Sequence, residues 1–162
     1  MKKLIVIFAF LITLNVSASE IVGQVIKVTD GDTITILDVN NVQYKIRLSG
    51  IDAPEKKQAF GNVSKQSLAE MIAGQVVTVG YNKLDSYGRV IGKVSFKSRD
   101  INLEQIKRGY AWHYKKYERE QDVEDRSIYA QEEYLAQRAA AGLWLDKNAI
   151  APWDFRKLSK AK

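Results

Sequence analysis

Acidic residues gather in two turn-like stretches of this chain, Asp30-Gly31-Asp32-Thr33 and Ile51-Asp52-Ala53-Pro54-Glu55. Asp-Gly is the expected dipeptide of a hairpin turn, so the first stretch taken alone is only a connection. The second changes its meaning. Pro54 restricts Ala53 to an extended conformation, a geometry that can aim Asp52, the Ala53 carbonyl and Glu55 into one space. Hard oxygen ligands of this kind suit Ca²⁺ or Mg²⁺. Two arginines lie nearby in the chain: Arg47 just before the Asp52 turn, and Arg89 at the end of Asp85-Ser86-Tyr87-Gly88. Either arginine alone reads as a solvated surface charge. Together with the carboxylates they make the parts list of a phosphodiester transition state: a divalent ion to polarise a phosphoryl oxygen, guanidinium forks to hold developing charge, and a carboxylate to position or deprotonate water. Arginine suits the role because it stays protonated at any working pH.

The elements that must position these groups follow from the hydrophobic pattern. From Ile21 to Phe96 the chain is rich in Val, Ile, Thr and Tyr, with glycine or Asp/Asn signals between the runs. Five strands fit: Ile21 to Thr29, Thr33 to Val39, Val42 to Ser49, Gln75 to Tyr81 and Gly88 to Lys97. In the third, Val42, Tyr44, Ile46 and Leu48 share one face and Gln43, Lys45 and Arg47 the other, so Arg47 points away from the core. Asp32 begins the strand expected to pair with the Arg47 strand, which brings both acidic turns to one end of the sheet. Helices are predicted over Asn62 to Ala73, with Val63, Leu68, Met71 and Ile72 inward; over Asn102 to Arg108, closed by Gly109; and over Val123 to Ala141, with Ile128, Leu135 and Ala139 inward and Gly142 as the stop. The fold class is therefore α+β: a five-stranded oligonucleotide-binding barrel with three packed helices.

The ends and the composition bound the rest. Met1-Lys2-Lys3, an apolar run from Leu4 to Leu14 and the small residues Val16-Ser17-Ala18 read as a secretory signal peptide over residues 1 to 18, cleaved near Ala18 or Ser19. The run is about half the 20 residues a membrane span needs, so the expectation is an exported protein, secreted or periplasmic, without stable membrane association. The chain has no cysteine, which excludes disulfides and lipid attachment to a Cys. Removing Lys2 and Lys3 from the 25 basic residues leaves 23 against 19 acidic ones, a modest surplus that favours polyanionic partners without identifying one. One domain, residues 19 to 158, is expected, with a frayed basic tail over 159 to 162, and a monomer.

The four segments Asp30-Gly31-Asp32-Thr33, Arg47-Leu48-Ser49-Gly50-Ile51-Asp52-Ala53-Pro54-Glu55, Asp85-Ser86-Tyr87-Gly88-Arg89 and Gly142-Leu143-Trp144 resemble, in order, the signature of the staphylococcal nuclease family, and the likeness runs across nearly the whole mature chain. The resemblance implies the oligonucleotide-binding barrel with three helices, and Ca²⁺ held by Asp32, Asp52 and the Ala53 carbonyl. It implies that Arg47 and Arg89 grip the phosphate, that Glu55 orients or activates water, and that Tyr87 contacts the nucleotide. The implied substrates are DNA and RNA, as single strands or frayed duplex, cut to 3′-phosphate ends. The chain departs from the family's best-known member in three places. Ala53 stands in place of threonine, Ser86 in place of a lysine, and the stretch from Glu55 to Asn62 is shortened. Trp112, Tyr114 and Tyr117, interleaved with lysines, suit base stacking over a phosphate track, and Tyr114 and Tyr117 are assigned to substrate; His113, the only histidine, is read as structural. An alternative is a non-catalytic nucleic-acid-binding module on the same barrel; inactive members lack some of these carboxylates and arginines, and this chain keeps them. A protein holding calcium only for stability would leave Arg47 and Arg89 unexplained.

Overall fold

The computed structural model describes residues 19–161, so the signal-peptide segment, residues 1 to 18, lies outside the described residues. Strand β1 (Ser19–Asp30) turns through Gly31 into β2 (Thr33–Leu37), and a turn held by Asp38 Oδ1, which accepts from Asn40 N and Val42 N, leads into β3 (Gln43–Leu48). Then follow β4 (Ile51–Asp52), helix α1 (Gly61–Ile72), β5 (Val76–Leu84), β6 (Val90–Phe96), β7 (Arg99–Asp100), α2 (Ile101–Lys107) and β8 (Trp112–His113). A 3-10 segment (Lys115–Glu120), α3 (Val123–Arg138), a second 3-10 turn (Gly142–Leu145) and α4 (Pro152–Lys160) complete the order.

Five strands close into a barrel. Antiparallel pairs join β3 to β2, β2 to β1, β1 to β5 and β5 to β6, and a parallel pairing of Ile46–Leu48 in β3 with Val90–Gly92 in β6 seals the seam. Period-two alternation puts Val25, Ile34, Ile36, Ile46, Val79 and Val94 inside, where each is at most 3% exposed. Each such side chain contributes about 1.5–3 kcal/mol by leaving water. Leu68 and Ile72 of α1 and Ile101 and Ile106 of α2 plug the barrel. The strand count, the barrel and the three predicted helices match the reading of the sequence, and a fourth helix, α4, joins them.

The predicted face of α3 is overturned, and that of α1 holds for Leu68, Met71 and Ile72 but not for Val63. In α3, Ile128 and Leu135 are 36% and 47% exposed, while Tyr129, Glu133 and Ala136 face inward. Polar partners decide this rotation: the Tyr129 hydroxyl donates to Asp100 Oδ2 at 2.7 Å, and Glu133 Oε1 accepts the His113 amide at 2.9 Å. A buried polar group that finds such partners escapes the desolvation cost that would otherwise keep it outside. In α1, Val63 is 46% exposed because Ser64 and Ser67 take the inner positions. Ser64 Oγ donates to the Tyr110 carbonyl and Ser67 Oγ to Gln105 Oε1. The helix α3 also ends earlier than predicted, at Arg138, with Ala140 in the left-handed region at φ 50°. His113 is buried and structural, its Nε2 2.9 Å from Gln121 Oε1. No helix among the described residues is long and apolar enough to cross a membrane.

Candidate active site

The two acidic turns meet at one end of the barrel. Antiparallel pairing sets Thr33 opposite Arg47, so Asp32 sits beside the strand that delivers the arginine. Gly31 makes the approach possible: a Cβ there would overlap Ser64 Oγ and the Ala53 methyl, so only glycine lets the first turn pack against α1 and the Pro54 loop. Gln105, fully buried, fastens this contact by donating to the carbonyls of Gly31 at 2.8 Å and Ser64 at 3.1 Å. Asp32 then reaches across, and its Oδ2 accepts the Ala53 amide at 2.6 Å.

Arg47 joins the two carboxylates. Its Nη1 donates to the carbonyls of Leu48 and Ile51 and lies 3.1 Å from Asp32 Oδ2, while its Nη2 donates to Asp52 Oδ1 at 2.8 Å. The side chain faces away from the barrel interior, as predicted from its strand parity, yet it is only 15% exposed. Backbone carbonyls fix one edge of the guanidinium, so its direction is set before any ligand arrives.

Asp52 also meets a residue that the sequence reading missed. Arg156 of α4 donates from Nη2 to Asp52 Oδ2 at 2.7 Å and from Nη1 to Glu55 Oε1 at 2.7 Å. Its hydrogen bonds to Asp52 hold the guanidinium above its ordinary pKa, against burial. The helix is placed by aromatic packing: Trp153 stacks on Tyr114 with centroids 5.4 Å apart and meets Trp112 edge-on at 5.7 Å. Glu55 is further anchored through its own amide, which donates to Gln58 Oε1, and Gln58 in turn donates to the Ile150 carbonyl.

The remaining predicted residues line the same cleft of about 830 Å³. Asp85 builds the turn that carries Arg89: its Oδ1 accepts the amides of Tyr87 and Arg89, and its Oδ2 accepts Arg89 Nε at 2.6 Å. Burial pushes the Asp85 carboxyl up, but these hydrogen bonds outweigh it and hold the group below its usual value. Tyr87 is 84% exposed, with the Arg89 guanidinium 5.6 Å from its ring centroid. Tyr114 and Tyr117 also line the cleft, their rings edge to face at 5.1 Å. Trp112, the third aromatic of that stretch, is half-buried and packs instead against Trp144 at 4.2 Å.

The acidic corner fits a divalent cation. Asp32 is 6% exposed, and burial is the largest influence on its carboxyl; Arg47 opposes it, Asp30 and Asp52 add to it, and the result is a pKa pushed up to about 7. A carboxyl that burial and two neighbouring carboxylates disfavour in its charged form gains from a further cation at its side, and oxygen donors are what Ca²⁺ and Mg²⁺ select. Among the described residues no cluster of three or more acidic, histidine or cysteine side chains stands ready as a ligand set. A site here would rest on Asp32, Asp52 and backbone oxygen.

Comparison with known proteins converges on one group. A family model described as "Staphylococcal nuclease homologue" matches residues 45–146. An "Uncharacterized endonuclease" of Haemophilus influenzae is 40% identical over 137 residues, covering 85% of this chain and 74% of the relative. A protein of the same description from Escherichia coli is 36% identical over 157 residues, 96% of this chain and 98% of the relative. A "Micrococcal nuclease" of Shigella flexneri is 38% identical over 147 residues, 85% and 82% of the two chains. The matched family region ends before α4, whereas the Escherichia coli relative extends over 96% of this chain.

Proposed function

The chain belongs to the staphylococcal nuclease family and is a phosphodiester hydrolase acting on nucleic acid, and from that premise we propose a calcium-dependent nuclease that cuts DNA and RNA to 3′-phosphate ends with the residues of the Asp32–Asp52 corner. One observation supports the reading above all: two carboxylates from separate turns meet on a single guanidinium, Arg47, in a cleft also lined by Glu55, Tyr87 and Arg89.

In this account Asp32, Asp52 and the Ala53 carbonyl hold the ion, which when bound neutralises phosphoryl charge and increases the acidity of water. Arg47 and Arg89 bind the non-bridging phosphoryl oxygens as charge builds on them, the bidentate contact at which arginine exceeds lysine. Glu55 keeps Oε1 on Arg156, which leaves its second oxygen to orient water and take its proton. The water oxygen joins phosphorus as its proton passes to Glu55, the P–O5′ bond breaks, and the 5′ oxygen leaves with the bond's electron pair and takes a proton from solvent water, so the phosphate stays on the 3′ side. Tyr87, Tyr114 and Tyr117 offer ring faces to the nucleotide. The N-terminal pattern supports export, to the medium or the periplasm.

The test is digestion of single-stranded DNA and of RNA by the purified mature protein, with calcium and with a chelator, followed by analysis of the product ends. Calcium-dependent cleavage leaving 3′-phosphates is expected. Full activity in the chelator, or 5′-phosphate ends, would overturn the corresponding part of the proposal.

A further inference from the structure

A second groove, of about 590 Å³, runs from the cleft along α4. Of its seven lining residues five are cationic, two are aromatic and none is acidic. Tyr114, Arg156 and Lys160 line both depressions, so the groove is a continuation of the cleft and not a separate pit. Its floor is the stacked pair Tyr114 and Trp153, whose ring planes lie within 11° of parallel. Trp153 thus presents aromatic surface and anchors the helix that carries the cations.

The cations differ in what they are free to bind. Arg156 is committed to Asp52 and Glu55, and Lys115 to Glu133 Oε2 at 2.6 Å. Lys157 pairs with Asp154 at 2.9 Å, but both are more than half exposed, and an exposed pair of this kind is easily exchanged for another anion. Lys116 and Lys160 have no acidic partner among the described residues. Lys160 follows Arg156 by four residues, about 6 Å or one turn along the helix, so the cations form a row leading away from the cleft.

Resting on the nuclease reading above, we propose that this groove is an accessory strand-binding site, which holds the phosphates of single-stranded nucleic acid beyond the scissile one. A polymer lying in the cleft must leave it past neighbouring surface, and this exit joins fixed aromatic rings to unpaired positive charge. That combination is what a strand of stacked bases and phosphates requires, whereas an acidic protein segment would not call on the rings. The groove binds by charge and stacking, so it is indifferent to sequence, and it serves long substrates, whereas a dinucleotide reaches only the end at Tyr114 that it shares with the cleft.

Charge reversal of Lys116 and Lys160 together tests the proposal. Fluorescence anisotropy in chelator would measure binding of a single strand of about 16 nucleotides, a length that spans cleft and groove, across a salt series. Hydrolysis of a dinucleotide with calcium would be measured beside it. The Lys116→Glu, Lys160→Glu variant should lose about 10-fold or more in affinity for the long strand, and its slope of log affinity against log salt should fall by about 0.7 for each phosphate contact removed. The Lys116→Gln, Lys160→Gln pair, which adds no charge to the end of α4, should show the same loss of slope. Dinucleotide hydrolysis should change far less than long-strand affinity in both. Unaltered affinity and slope on the long strand would overturn the groove, as would an equal loss on both substrates. If the wild type cleaves neither substrate while the variants still lose the long strand, the groove stands and the nuclease reading falls.

Discussion

The two arginine-bearing corners of the cleft are built on opposite principles. At one, Arg47 is 15% exposed and locked by two backbone carbonyls and two carboxylates, behind a turn that Gly31 and Gln105 press against α1. At the other, Arg89 rides on a surface turn held by one carboxylate, and the neighbouring Tyr87 is 84% exposed. The first corner fixes the geometry with which two carboxylates meet one guanidinium. The second leaves room for a substrate to arrive and for the turn to adapt. Pre-organisation at the chemical centre and latitude at the substrate edge is the division expected when binding energy is spent on the transition state.

The sharpest way to break this contrast is to remove each arginine. Arg47→Ala leaves the buried Asp32 without its cation and Asp52 with Arg156 alone, so it should lower kcat/KM by about 10³ or more and also destabilise the fold by about 3 kcal/mol. Arg89→Ala should lower kcat/KM by about 10² to 10³ while leaving stability within about 0.5 kcal/mol. Urea unfolding in chelator beside steady-state kinetics checks both, and equal stability losses would erase the distinction. Next in size, lysine at either position keeps charge but loses the fork, and should still cost about 2 to 3 kcal/mol in barrier. A lysine variant within a few-fold of wild type would show that a positive field suffices.

A separate effect concerns pH. Because the folded-state pKa of Asp32 is raised from 3.8 to about 7, the native protein binds the proton more tightly than the unfolded chain. This contribution therefore favours folding at about pH 4 and fades as pH rises through about 7. Melting temperatures in chelator should show the fall, Asp32→Asn should flatten it, and saturating calcium should reverse it; a pH dependence identical in wild type and Asp32→Asn would contradict the assignment. The smallest effect belongs to the open corner: Tyr87→Ala should raise KM by a few-fold with kcat nearly unchanged, and a dominant kcat loss would move Tyr87 into the chemistry.

The same contrast explains what could be read from the sequence. Strand alternation marked the barrel, and the Asp32, Arg47, Asp52 and Arg89 turns were visible because their residue types and order are themselves the signal. The clamp behind them was not, since Gln105 reaches Gly31 across 74 positions and no local pattern records that contact. The α3 face was misread because its inward residues include Glu133 and Tyr129, which only distant partners make compatible with burial. Helix α4 and Arg156 were missed although Pro152 at the first turn, Asp154 behind it and lysines at the end are start and stop signals. Its Trp153 packs on Tyr114 and Trp112, so the stripe meant little until the aromatic stack was known.

The central claim is that Asp32 and Asp52 hold the ion on which cleavage depends. Titration calorimetry of calcium into the wild type and into Asp32→Asn and Asp52→Asn, each with a non-hydrolysable nucleotide phosphate present, tests it most directly. One calcium site is expected in the wild type and at least about 10-fold weaker binding in each variant, with folded circular dichroism spectra throughout. Undiminished calcium affinity in both variants would contradict it.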